Sequence, residues 1–213
     1  AGQSLTELLS SQKGSQLAAM LESTESDKLT KLGTEFHYIF HQICTSAVSA
    51  IENAANSINE QPRAFATTFL AAVVKAYEDQ YFVASFWLGD GAIAIYEPNG
   101  VVKLMGSPDG GEYAGQTLFL DRSALSATSF SKRTKVSSFD GKSVLFLMTD
   151  GVSDPFFETD NGLADATKWK KLWDEIEPKL KESNPEQALT DWLHFFVPGH
   201  HDDRTIALLN TSN

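Results

Sequence analysis

Cysteine is nearly absent from this chain. Cys44 is the only one, which excludes an intrachain disulfide and suits a reducing compartment. Basic residues are scarce too: 17 Lys and Arg stand against 28 Asp and Glu, a formal net charge of −11, and the bases gather into no patch or stripe. Such a chain repels phosphate backbones, so nucleic acid and anionic membrane are poor partners. No apolar run approaches the roughly 20 residues of a membrane helix, and no charged-then-apolar leader opens the sequence. A cytoplasmic protein is expected. Pro/Gly-rich linkers, low-complexity tracts and internal repeats are missing, as are the G-x-x-x-x-G-K-[ST] loop and the G-x-S-x-G elbow.

What is present is a globular composition over 213 residues. That length favours a single domain spanning 1–213, able to bury roughly 70% of the surface its unfolded chain exposes. Apolar residues from Leu5 to Leu21 suggest a helix weakened at Gly14-Ser15. A longer stripe, Leu29, Leu32, Phe36, Ile39, Phe40, Ile43, Ala47 and Ile51, predicts a helix from about Asp27, its N-cap, to Ile58, with Gln61-Pro62 stopping it. His37 and His41 lie one helical turn apart; this spacing fits a metal pair but is common in helices without one.

The period then turns to β. Strands are expected at Ala66–Val74, Tyr81–Leu88, Ala92–Tyr96, Val101–Met105, Thr117–Leu120, Thr128–Phe130, Lys135–Ser137 and from Val144. Links as short as Gly89-Asp90-Gly91 and Pro98-Asn99-Gly100 predict antiparallel neighbours. Two helices follow, one from Trp169 to Leu180 bent or ended by Pro178, the other from Pro185 to Phe196 and closed by Pro198-Gly199. A last strand runs from Arg204 to Leu209. Helices grouped around a meander of strands indicate an α+β fold.

The stretch that carries chemistry is Val144 to Asp154. Its apolar run reads as a strand buried on both faces, with Asp150 at its mouth. Asp150-Gly151 is either a tight turn or a rigid carboxylate suited to a hard cation. Asp90, Asp150 with Asp154, and Asp202 with Asp203 all sit in turns at strand ends. Brought together, like charges about 4 Å apart cost on the order of 4 kcal/mol at an effective dielectric of 20 unless a cation neutralises them. Oxygen-only ligation points to Mg²⁺ or Mn²⁺ rather than Zn²⁺.

These residues resemble a known family. LFLMTDGVSD is similar to the SDGLWD-type motif of the metal-dependent type 2C protein Ser/Thr phosphatases, FWLGDGAIAIY to their GDSRAVL-type strand pair, and HDDRTIALL to their DDxT strand. GGEYAGQTLFL and DPFFETDN resemble the prokaryotic branch. The likeness runs from about Gly14 to Leu209. It implies a sandwich of two antiparallel β-sheets flanked by helix pairs, with two Mn²⁺ or Mg²⁺ ions, and a weaker third, activating a water against phosphoserine or phosphothreonine. Position by position it makes Asp150 and Asp202 ligands of the two-metal centre, and Asp154 and Asp90, with Asp150, those of the third metal. It also implies a phosphoprotein substrate, a cognate Ser/Thr kinase as partner, and a role in signalling.

The chain departs from that pattern at its start. The phosphate-clamping arginine, an early acidic ligand and a bridging Asp-Gly motif are not found: the first arginine is Arg63, the first aspartate Asp27, and no Asp-Gly precedes Asp90. Ala1-Gly2 matches the end of a DGAG-type motif, so the chain is expected to lack its N-terminal strands. A pseudophosphatase, which keeps the fold and binds without turnover, is the alternative. His200 and His201 read either as proton donors to a leaving group or as structural, exposed residues, and Arg204 as a phosphate contact or a surface residue opening a strand.

Overall fold

The computed structural model describes residues 1–106, 108–109, 117–195, 197–199 and 201–211. In chain order the elements are α1 (Gly2–Leu9), α2 (Gln12–Glu22), α3 (Lys28–Ser57), β1 (Phe69–Tyr77), β2 (Gln80–Leu88), β3 (Ala92–Glu97), β4 (Val101–Gly106), α4 (Ala127–Phe130), β5 (Thr134–Asp140), β6 (Val144–Met148), α5 (Asp150–Phe157), α6 (Ala166–Leu180), α7 (Pro185–Trp192) and β7 (Ile206–Asn210). Single 3₁₀ turns lie at Pro62–Phe65 and Asp160–Ala164. The strands form two antiparallel sheets, β1-β2-β5 and β4-β3-β6-β7, an α+β architecture.

The chain divides into two compact units, residues 1–89 with 109–140, and residues 90–108 with 141–213. In the first, the long apolar stripe of α3 packs as its period predicts: Leu32, Phe36, Ile39, Phe40 and Ile43 are buried and Leu29, Ala47 and Ile51 half-buried, in one core with Phe82, Ala84, Phe86 and Leu88 of β2, to which Val48, outside that stripe, also contributes. Leu17 and Leu21 of α2 join this core. In the second, Ala92, Ala94 and Tyr96 alternate with the same phase as their neighbours Val144, Phe146 and Met148, and these six pack on Trp169, Leu172, Trp173 and Ile176 of α6. Trp169 is fully buried, and its indole N–H donates to the Leu163 carbonyl at 2.7 Å. Ile93, Ile95 and Leu145, on the opposite face of the same strands, are buried as well, as the uninterrupted apolar run from Val144 predicts.

Several sequence expectations need correction. The first helical region breaks at Ser10–Ser11, where Ser11 caps α2, and not at Gly14. Gly14 lies inside α2, where a Cβ would fall 1.8 Å from the Leu9 carbonyl oxygen, so it permits a close approach. Asp27 precedes α3 as expected, but its side chain makes no capping hydrogen bond. Residues 117–120 form no strand, and 128–130 belong to the short helix α4, capped by Ser126. The link Gly89-Asp90-Gly91 is no hairpin: β2 lies in the three-stranded sheet and β3 in the four-stranded one. Short links predict antiparallel pairing only when the chain stays in one sheet. The last helix stops at Trp192, short of Pro198-Gly199, and α6 continues two residues past Pro178. His37 and His41 both set their rings edge-on to Phe130, at 5.3 and 4.8 Å, which accounts for their spacing without a metal.

Candidate metal centre

The four aspartates that the family resemblance makes metal ligands, Asp90, Asp150, Asp154 and Asp202, belong to the second unit. Strand register brings three of them to one place. Ala92 of β3 pairs with Met148 of β6, and Met148 pairs with Ile206 of β7, so these residues form a row across one end of the sheet. Asp90 lies two residues before Ala92, Asp150 two residues after Met148, and Asp202 four residues before Ile206. Neighbouring strands that start and stop along one row deliver their flanking residues to the same sheet end.

Asp150 is not in a turn. It opens α5, half-buried, where the helix N-terminus favours its negative charge. The backbone N–H of Gly151 donates to its Oδ1 at 2.8 Å. Its carboxyl nevertheless sits above the usual aspartate range, first because burial penalises the charged form, then because of the negative charge of Asp90, with Asp202 adding to the effect. Asp150 thus feels the negative charge of both other carboxylates. Asp154 is exposed one helical turn along α5, on the same side as Asp150. Asp202 and Asp203 are exposed; His201 is exposed, and His200 lies outside the described residues.

The loop that carries Asp202 is seated on the start of α5 by contacts the sequence did not reveal. Thr149 precedes α5 but does not cap it. Its hydroxyl donates instead to the Asp203 carbonyl at 3.2 Å and accepts from the Thr205 N–H at 3.0 Å, while its own N–H donates to the Thr205 carbonyl at 3.1 Å. Gly151 provides the room: a Cβ there would lie 2.5 Å from the Asp203 carbonyl oxygen and 3.0 Å from that of Asp202. The glycine of the Asp-Gly pair therefore serves neither a turn nor a left-handed backbone. Arg204 is half-buried, donating from Nε to the Gly151 carbonyl and from a terminal nitrogen to the Leu193 carbonyl, both at 3.1 Å. Its guanidinium lies 4.2 Å above the Phe195 ring. It is not an open surface arginine.

The protein phosphatase 2C family model matches residues 3–194. The chain belongs to the protein phosphatase 2C family. No curated protein sequence matches it significantly. Among solved structures it is similar to RsbX in complex with magnesium, at 15% identity with a TM-score of 0.35, over 75% of this chain and 70% of that one. It is similar also to the manganese-presoaked phosphatase domain of SpoIIE from Bacillus subtilis, at 13% identity and a TM-score of 0.35, over 96% and 74%. Likenesses that loose add nothing to the family assignment.

For a member of the phosphatase 2C family the donors at this sheet end suit a divalent cation by their chemistry: they are anionic oxygen ligands, and the charges of Asp90 and Asp202 raise the proton affinity of Asp150. Their arrangement is more open. As the side chains stand, no group of three or more His, Cys, Asp and Glu among the described residues is positioned to hold a metal ion. Again among the described residues, no helix is long and apolar enough to cross a membrane.

Proposed function

We propose that this chain hydrolyses phosphoserine and phosphothreonine in proteins, with Mg²⁺ or Mn²⁺ as cofactor. The observation that supports this most is the delivery of Asp90, Asp150 and Asp202 to one end of the β3-β6-β7 row in a protein phosphatase 2C family member. Divalent cations held there supply Lewis acidity toward a phosphoryl oxygen and an acidified water for attack on phosphorus. Asp150 and Asp202 are the carboxylates assigned to the two-metal centre, and Asp154 and Asp90, with Asp150, to a weaker third site.

The remaining work falls to the chain's own framework. The Gly151 N–H fixes one oxygen of Asp150, and Thr149 holds the loop of Asp202 against the end of β6. Together they set two carboxylates on short, hydrogen-bonded backbone, which keeps the cost of ordering them on metal binding small. The substrate is a phosphoprotein, the natural partner a Ser/Thr kinase acting on the same protein, and the setting cytoplasmic signalling.

One observation favours a second reading, a binding module that retains the fold without turnover: the carboxylates as they stand form no three-ligand group among the described residues. Hydrolysis of p-nitrophenyl phosphate and of a phosphothreonine peptide across a Mn²⁺ titration, with Asp150→Asn as control, separates the two. Turnover that requires Mn²⁺ and is lost in the variant is the expected result. Absence of turnover at every Mn²⁺ concentration would defeat hydrolysis by this chain and leave a pseudophosphatase or an enzyme lacking its N-terminal motifs, and turnover indifferent to Mn²⁺ would defeat the metal reading.

A further inference from the structure

Pro155 lies inside α5 and has no N–H to give to the carbonyl four residues back. That carbonyl belongs to Gly151, the residue against which the Asp202–Asp203 backbone packs. The missing donor is replaced from another part of the chain: Arg204 Nε donates to Gly151 at 3.1 Å. The same guanidinium donates to Leu193, which caps the C-terminus of α7. Phe195 beneath it packs on Phe156 and Trp192 at 5.7 and 5.1 Å, so the arginine is seated on an aromatic cluster contributed by both helices.

We propose that Arg204 is a positioning residue for Asp202. It occupies the hydrogen-bonding vacancy that Pro155 leaves in α5, and so locks the 202–205 loop onto the helix that begins with Asp150. The inference rests on the reading of Asp150 and Asp202 as metal ligands, but the lock exists without metal and is read without it. A helix of ordinary sequence would satisfy Gly151 internally; here the bond is available to a residue two positions from Asp202.

The test compares the full chain with Arg204→Gln, Pro155→Ala and the double variant. Two quantities are measured: amide hydrogen exchange at Thr205 in metal-free protein, and Mn²⁺ affinity by calorimetry. Thr205 is the reporter because its N–H is bonded to Thr149 when the loop is seated. Arg204→Gln is expected to speed Thr205 exchange and to weaken Mn²⁺ binding about tenfold, the lower end of what outer-shell partners of a metal contribute. In the Pro155→Ala background α5 regains its own donor to Gly151, and both effects of Arg204→Gln are expected to shrink. Equal losses in the two backgrounds would overturn the lock, since they would show a general packing role. Unchanged Thr205 exchange in Arg204→Gln would overturn it as well. If Arg204→Gln does not fold, Arg204→Lys, which keeps the charge but not the planar fork, is measured in its place. Wild-type chain that binds no Mn²⁺ would defeat the metal reading and the proposed positioning of a ligand together, whatever Thr205 shows.

Discussion

Gly151 and Asp203 approach so closely that any side chain on the glycine would displace the loop: its Cβ would lie 2.5 Å from the Asp203 carbonyl oxygen. Helix propensity alone would favour alanine over glycine by about 1 kcal/mol. The contact decides the sign the other way, because the obstructing atom is backbone, held by Thr149, and cannot rotate aside. Gly151→Ala is expected to lower stability by roughly 1–3 kcal/mol, the range for overpacked positions, and to weaken Mn²⁺ binding by shifting Asp202. Urea unfolding and calorimetry on the same preparation check both; a variant more stable than the parent would show that the loop yields freely.

The Asp109–Arg133 pair gives a second prediction, in the first unit. Arg133 donates to Asp109 Oδ2 at 2.6 Å and to the Trp87 carbonyl at 3.3 Å, and the same carboxylate oxygen accepts from the Gly89 N–H at 2.9 Å. Both side chains are largely buried, at 7% and 15% exposure. A buried pair contributes little over an apolar replacement, but removing one member strands the other charge, at a cost of about 3–5 kcal/mol. Asp109→Ala should destabilise within that range, whereas a change at the exposed, solvent-screened Lys170–Asp174 pair should cost far less. Comparable losses in the two variants would contradict this assignment of burial.

Much of this was legible in the sequence, and the failures share a cause. The stripe from Leu29 to Ile51 and the run from Val144 announced their elements because burial imposes a period on neighbours in the chain. Asp90, Asp150 and Asp202 were legible as an end-of-strand pattern supported by family resemblance. What α5 would do was not: an Asp-Gly pair followed five residues after the aspartate by proline reads locally as turn and loop. The donor that completes that helix comes from Arg204, far along the chain, and the reason for Gly151 is a backbone that arrives from the same distance. At 117–120 the expected strand is missing although Leu118 and Phe119 are exposed; the one expected at 128–130 failed because β-branched and aromatic residues mark burial as well as strand. Phe130, 1% exposed, is buried on a helix.

Cys44 supplies a pH-dependent prediction independent of the candidate site. It is fully buried in the core of α3, and burial pushes its thiol from the ordinary 9.0 up to about 12. The native state therefore keeps the proton when the unfolded chain has lost it. The stability this contributes is fully present below pH 9 and is lost as pH rises from there toward 12. Cys44→Ala should flatten the dependence of unfolding free energy on pH over that alkaline window. The parent thiol should also resist an aromatic disulfide reagent at pH 8 until the protein is unfolded; rapid labelling of the native chain would show the packing of α3 to be looser than its contacts indicate.

Asp150 gives the prediction that joins the electrostatics to the chemistry. Burial first and Asp90 second raise its proton affinity in the folded state, so its ionised form costs the native state stability that the unfolded chain does not lose. By sign, the favourable contribution exists only below the ordinary aspartate range and disappears as pH rises through the raised value. At neutral pH the carboxylate is a liability until a cation arrives. Asp150→Asn should therefore raise the melting temperature of metal-free protein at pH 7 and leave it nearly unchanged at pH 3. Mn²⁺ reverses the order. At a hundredfold excess over its dissociation constant it stabilises the parent by about 2.7 kcal/mol, and the variant, missing a ligand, should gain far less. Melting curves of the two proteins with Mn²⁺ and with chelator give all four values. A crossing, with the variant ahead in chelator and behind in Mn²⁺, is the signature of a carboxylate kept against stability in order to bind metal; a variant that is weaker under both conditions would mean that Asp150 serves the fold.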